Sequence, residues 1–338
     1  MRGMKLTLAD ILAAQKTIAG IATDTPLVPS PFLSERSGVE VLLKLEIAQP
    51  IGAFKLRGAM NAIANLPADV PGVTCCSTGN HGRGVAFAAR ARSIRAVVCM
   101  SPMVPQAKVD GIRALGAEVH IAGESQDDAY AESLKLSEKE GLAQISPFDD
   151  PHVIAGQGTI GLELLARRPD LETILVPLSG GGLAGGIALA AKTIKPSISI
   201  IGISMDRGAA MHESLAAGHP VEVTEVASLA DSLGGGIGMH NEYSFDLCRR
   251  YLDDTLLVSE EDIYAGMQAL YFEDRLVAEG GSAVGVAALL AGKLDDLKGP
   301  VAAIITGRNL DMEIHAAIMA GADVTLGETT IRGRRHGT

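Results

Sequence analysis

Apolar positions along this chain fall into short β-rich runs and helical stretches that alternate. Residues 7–19 have helical spacing, with Thr7 placed to cap the first turn. Residues 39–45 form a run of β-formers, and residues 55–66 read as a helix stopped by Pro67. A regular order then sets in, with strands at 73–77, 96–100 and 118–122 between helices at 81–91, 106–115 and 127–140. After Phe148-Asp149-Asp150-Pro151 the pattern restarts. Helices are predicted at 158–167, 183–194, 262–278 and 282–291, and strands at 173–177, 198–203 and 301–305. This order predicts an α/β protein with mostly parallel sheets flanked by helices. We expect a large domain from residues 1–68 and 150–325, a small α/β domain at 69–149 inserted into it, and a frayed basic tail at 326–338. The functional crevice belongs between the domains, at the carboxyl ends of strands.

Composition narrows the partners. The 338 residues suit about two domains. Aromatics are only 3% and Trp is absent, so alanine, glycine and aliphatic residues must do the packing. A net charge of -11 argues against nucleic acid, whose binding relies on Lys and Arg, and means that an anion needs a local cradle. Cys75, Cys76, Cys99 and Cys248 lack metal-ligand spacing and read as reduced thiols of a cytoplasmic protein; no metal is expected. The N-terminus has no apolar signal-peptide core. Residues 174–191 carry no charge and match a membrane span by count, but Pro177 and five glycines interrupt them. They read as a buried strand, a glycine turn and a buried helix, so no membrane partner is expected.

Four places carry candidate chemistry. Gly180-Gly181-Gly182, then Leu183, follow an apolar strand and open a helix. Glycines let backbone N–H groups converge on an anion, and the helix start adds free donors; the local alternative is a tight turn without a ligand. Lys55 has apolar neighbours in Phe54 and Leu56, which favour burial and a freer amine; otherwise it is a solvated lysine at a helix start. Ser77-Thr78-Gly79-Asn80-His81 forms a polar turn after a strand, where Asn80 offers an amide and His81 reads as structural. Thr306 ends an apolar strand, as a ligand hydroxyl or a local cap. Together these groups suit pyridoxal 5'-phosphate: Lys55 holding it as an imine, the glycines its phosphate, and the Thr306 hydroxyl its ring nitrogen. A nicotinamide oxidoreductase and a non-catalytic amino-acid or cofactor-binding protein are the competing classes.

The order of these segments resembles the fold-type II pyridoxal-phosphate enzymes (tryptophan synthase β-like), in their serine/threonine dehydratase and serine racemase branch. The resemblance is densest at residues 44–59, 77–86, 108–119, 148–165, 176–188 and 304–309. Residues 229–238 and 305–309 look most like the dehydratase associated with hydroxyectoine utilisation. The resemblance implies that Lys55 is the imine lysine that also moves the α-proton and that Phe54 packs beside the cofactor. It puts Asn80 on the 3'-hydroxyl, Gly180–Leu183 on the phosphate, Thr306 on the pyridine nitrogen and Glu279 near the cofactor. Ser77, Thr78, Gly79 and His81 would receive the substrate carboxylate.

The departures also matter. Thr78 stands where racemases carry a serine as second acid/base, which disfavours racemisation, although a threonine hydroxyl can still transfer a proton, so Thr78 joins Lys55 as a candidate catalytic residue. Ser204-Met205-Asp206 replaces the Glu-Pro that supplies a cation ligand in relatives. The expected activity is β-elimination of a β-hydroxy amino acid such as threonine, serine or a hydroxyectoine-derived amino acid, giving a 2-oxo acid and ammonia. Racemisation and β-replacement are the alternatives on this fold. A homodimer and no end-product feedback are expected.

Overall fold

Strands buried on both faces need helices on both sides, and the central strands of this chain are of that kind. The computed structural model describes residues 5–77, 79–102, 104, 106–124 and 126–337. A six-stranded sheet runs in the order Leu27–Pro29, Val41–Leu45, Val301–Ile305, Thr173–Pro177, Ser199–Met205, Asp254–Val258. Only its first pair is antiparallel. Val301–Ile305 and Thr173–Pro177 are buried at every position. A four-stranded parallel sheet holds Glu118–Ile121, Arg95–Met100, Gly72–Cys76 and Ala143–Gln144. Its strands are contiguous in the chain, whereas the larger sheet draws on both flanks.

Three helices connect the halves. Pro151–Arg167 packs against both Lys55–Ala64 and Gly182–Ile194. Close approach depends on missing side chains: a Cβ at Gly158 would sit 2.9 Å from the Gly186 carbonyl oxygen, and one at Gly156 would strike the Arg57 carbonyl. A buried ionic cluster reinforces the joint. Arg57 donates to Glu46 at 2.8 Å and to Glu163 at 2.6 Å, and Lys44 donates to Glu163 at 2.5 Å. Burial alone would raise the Glu46 carboxyl, yet the adjacent Arg57 guanidinium holds it below its ordinary value.

Several expected elements differ. The helix predicted from residue 158 begins at Pro151, where Asp150 accepts the Val153 N–H at 2.8 Å. Its early glycines depress helix propensity, and tertiary packing overrides that. The helix predicted to reach residue 278 ends at Phe272, before Arg275 turns to a φ of 59°. The tail is anchored instead of frayed. Val324–Leu326 pairs with Thr329–Ile331, Gln268 donates to the Arg334 carbonyl at 2.7 Å, and His336 meets Glu273 at 2.6 Å. Among the described residues, no helix is long and apolar enough to cross a membrane.

Candidate active site

A cleft of about 430 Å³ opens between the two sheets. Lys55 reaches it as the first residue of its helix. An isolated antiparallel bridge between Ala53 and Gly307, with the Phe54 N–H donating to the Thr306 carbonyl at 2.9 Å, ties this entry to the end of strand Val301–Ile305. That tie brings Phe54, Lys55 and Thr306 together. The Lys55 Nζ donates to the Pro147 carbonyl at 2.6 Å. Burial lowers its pKa to about 8, against the opposing pull of Glu279. A neutral amine is therefore accessible near neutral pH, as nucleophilic and proton-transfer roles need.

Gly180, Gly181, Gly182 and Leu183 line the opposite wall. Gly181, at φ 85°, is the N-cap of helix Gly182–Ile194, and no side chain caps it. A Cβ on Gly181 would come 2.5 Å from Met211 Cε, and one on Gly182 would come 2.5 Å from the Phe148 carbonyl. Only glycine lets these uncapped amides line the cleft in this packing, and the net charge of -11 makes a local anion cradle worth having. The helix Asn80–Arg92 also starts without a side-chain cap, at Gly79, leaving donors for a carboxylate.

Thr306 is buried, and its hydroxyl lies 2.9 Å from that of Ser282. Glu279 is 3% exposed. Burial, and secondarily Asp231, raises its pKa to about 7, although Asn80 donates to it at 2.8 Å. His81 is buried and neutral: burial, with Lys55 nearby, lowers its pKa to about 3, and its Nε2 pairs with the Ile145 carbonyl at 2.9 Å. Ser77 and Gly79 line the cleft beside it. Every described residue singled out from the sequence as a cofactor or substrate contact thus lines this cleft; Thr78 lies outside the described residues. Sequence reasoning missed Ser282 and Pro147, and named Phe148 only as the start of a motif. It noted Asn309 only as the end of a motif, although Asn309 also lines the cleft.

Residues 18–307 match the family described as pyridoxal-phosphate dependent enzyme. The chain belongs to that family. It is 52% identical over 318 residues to a Sinorhizobium fredii protein provisionally named threonine dehydratase, covering 94% of this chain and 96% of that one. The processed form of threonine deaminase isoform 2 from Solanum lycopersicum superposes with a TM-score of 0.87 at 37% identity, over 93% of this chain and 86% of that one. Maize serine racemase does so with a TM-score of 0.88 at 32% identity, over 92% and 95%. The protein is therefore a pyridoxal-phosphate-dependent enzyme with the fold-type II architecture. The lysine amine, glycine cradle and buried hydroxyl fit that cofactor.

Proposed function

We propose that this protein is an ammonia-lyase that eliminates the β-hydroxyl of a small amino acid such as threonine or serine. The observation that carries it is the joint presence, in one cleft, of a partly neutral Lys55, an uncapped glycine cradle and a hydroxyl at Thr306. The relatives named for threonine dehydration and deamination support the reaction class.

The cofactor, when bound, supplies an electron sink for the α-carbon. Lys55 would hold it through its side-chain amine, and that amine, with a pKa lowered to about 8, is the base in the cleft that would take the α-proton of the substrate. The backbone N–H groups of glycines 180–182 would seat the cofactor phosphate. Thr306 would offer the ring nitrogen a neutral hydroxyl, a weaker partner for a protonated ring than a carboxylate would be. The first-turn amides after Gly79 orient the substrate carboxylate, and His81, held neutral, supports that turn.

Finer assignments are also our proposals. The sheet memberships support reading residues 69–149 as an inserted small domain. The resemblance of residues 229–238 and 305–309 supports a hydroxyectoine-derived diamino acid as substrate, and Glu225 and Asp231 at the cleft lining suit a second ammonium group. Buried thiols at Cys75, Cys99 and Cys248 support a cytoplasmic setting, and the prevalence of closed two-fold assemblies supports a homodimer. The acidic balance supports a small-molecule partner and not nucleic acid.

The test is to incubate the cofactor-loaded protein with threonine and serine and assay 2-oxo acid, ammonia and the chirality of recovered substrate. Borohydride reduction and peptide mapping should place the pyridoxyl group on Lys55. Lys55→Ala should abolish both labelling and turnover. Label on another lysine, or inverted substrate without 2-oxo acid, would overturn the assignment.

A further inference from the structure

The amides of Asn309 and Asn80 form a chain of hydrogen bonds whose direction is set at one end. The Asn309 Nδ2 donates to the Ile51 carbonyl at 2.9 Å and to the Asn80 Oδ1 at 2.7 Å. The Asn80 Nδ2 in turn donates to the Glu279 Oε1 at 2.8 Å. A backbone carbonyl can only accept. If Asn309 were flipped, its oxygen would face the Ile51 oxygen, so the Ile51 carbonyl fixes which end of Asn309 is NH2. Both Asn309 protons are then committed, and Asn80 must turn its oxygen toward Asn309. The Asn80 NH2 faces Glu279 and the cleft. One of its protons goes to Glu279, and the other is left for whatever occupies the cleft that Asn80 lines. Backbone contacts hold the frame: the Asn309 N–H donates to the Glu279 Oε2 at 3.2 Å, and the Glu279 N–H to the Gly307 carbonyl at 3.0 Å.

We infer that Asn309 is a positioning residue that makes Asn80 present a donor, never an acceptor, to the cofactor. The ring oxygen facing Asn80 is thereby favoured in its ionised form, since a phenolate accepts this N–H more strongly than a neutral phenol does. This inference rests on the pyridoxal-phosphate reading and adds a residue to it. A structural role alone would have Asn309 merely pin residues 51 and 309 together, with no bearing on the ionisation of the bound ring.

The experiment uses cofactor-loaded wild type, Asn309→Asp, Glu279→Gln and the double variant Asn309→Asp/Glu279→Gln, at a pH above the Glu279 pKa of about 7 so that its carboxylate is ionised. Three quantities are read: the absorbance ratio of the ionised to the protonated ring-oxygen form, cofactor retention on dialysis, and the melting temperature of the cofactor-free protein. The carboxylate introduced by Asn309→Asp would set an acceptor against the Asn80 oxygen and force that amide to turn over. The single variant should move the absorbance ratio toward the protonated form, and weaken retention, by at least roughly tenfold, as for one lost hydrogen bond to a charged oxygen. Its cofactor-free melting temperature should also fall, because the turned Asn80 oxygen then faces the Glu279 carboxylate. In the double variant the amide introduced by Glu279→Gln can donate to the turned Asn80. The melting temperature should then be no lower than that of Glu279→Gln alone, while the absorbance ratio stays shifted. A wild-type ratio and retention in Asn309→Asp, or recovery of the ratio together with the melting temperature, would overturn the inference while Lys55 labelling left the cofactor reading intact. Absence of Lys55 labelling in wild type would remove both.

Discussion

Glu279 carries the most consequential charge in the cleft. Its carboxyl is raised to about 7 from an ordinary 4.5, chiefly by burial. The folded protein therefore holds a proton there that the unfolded chain releases above 4.5. Stability from this group is present below pH 4.5 and is lost as pH rises toward 7, by an upper limit of about 3 kcal/mol. Glu279→Gln should abolish that loss. Denaturant titrations of the cofactor-free proteins between pH 5 and 7.5 should show wild type weakening relative to the variant; parallel curves would mean that the carboxylate is ionised throughout. Lys55 contributes with a different window. Its folded pKa of about 8 lies below the ordinary 10.5, so its term favours folding increasingly as pH rises between those values. Legibility in the sequence was uneven at this scale. Lys55, Asn80 and the glycines carry signals because amines, amides and glycine runs have few other reasons to recur in that order. Ser282 carries none, since a serine in a helix is ordinary and only its 2.9 Å approach to Thr306 marks it.

Among the elements, helix Pro151–Arg167 positions the site without lining it. Gly156 lies against the Lys55 helix: a Cβ there would strike the Arg57 carbonyl and come 2.9 Å from Gly58 Cα. Gly156→Ala sets two effects against each other. Alanine gains about 1 kcal/mol of helix propensity, whereas forcing two backbones apart costs about 1–3 kcal/mol or more. Because the obstructing atoms are backbone, the second effect should win. We expect lower stability by about 1–2 kcal/mol net and weaker cofactor retention, since the Lys55 and cradle helices both rest on this one. Chemical denaturation and dialysis of the holoenzyme check it; an unchanged or raised midpoint with full retention would contradict it. The same glycines explain why the helix start was misplaced at residue 158. Asp150 and Pro151 form a good start signal, but glycine-rich turns look like loops until a neighbouring backbone is seen to need the space.

At the scale of the molecule, the C-terminal segment closes one flank of the large sheet's helical layer. Ile331 is 1% exposed, and the His336 ring stacks on Phe272 at 5.2 Å between centroids. Truncation after Glu328 removes the partner of Val324–Leu326 and the Arg334 carbonyl that Gln268 donates to. Stability should fall by about 3 kcal/mol, from one buried aliphatic and the lost hydrogen bonds, with the Lys55 absorbance unchanged in the loaded protein. A melting curve identical to that of the full chain would show that the segment is only loosely attached.

What the sequence determined by itself is the alternation of βα units, the α/β class and the identity of the groups gathered in the cleft. These follow from local periodicity and from side-chain chemistry, both of which are written along the chain. Tertiary structure alone decided the rest. The short elements Pro31–Ser37, Ala210–Ala217, Ser244–Tyr251 and Met312–Ala320 escaped prediction because helices of two turns are held by contacts and not by propensity. The basic tail looked free because its anchors, Gln268 and Phe272, lie far back in the sequence. The direction of the Asn309–Asn80–Glu279 chain also came only with the fold. An amide has two chemically opposite ends of nearly equal size, and only the carbonyl of Ile51, brought beside Asn309 from the other end of the chain, tells them apart.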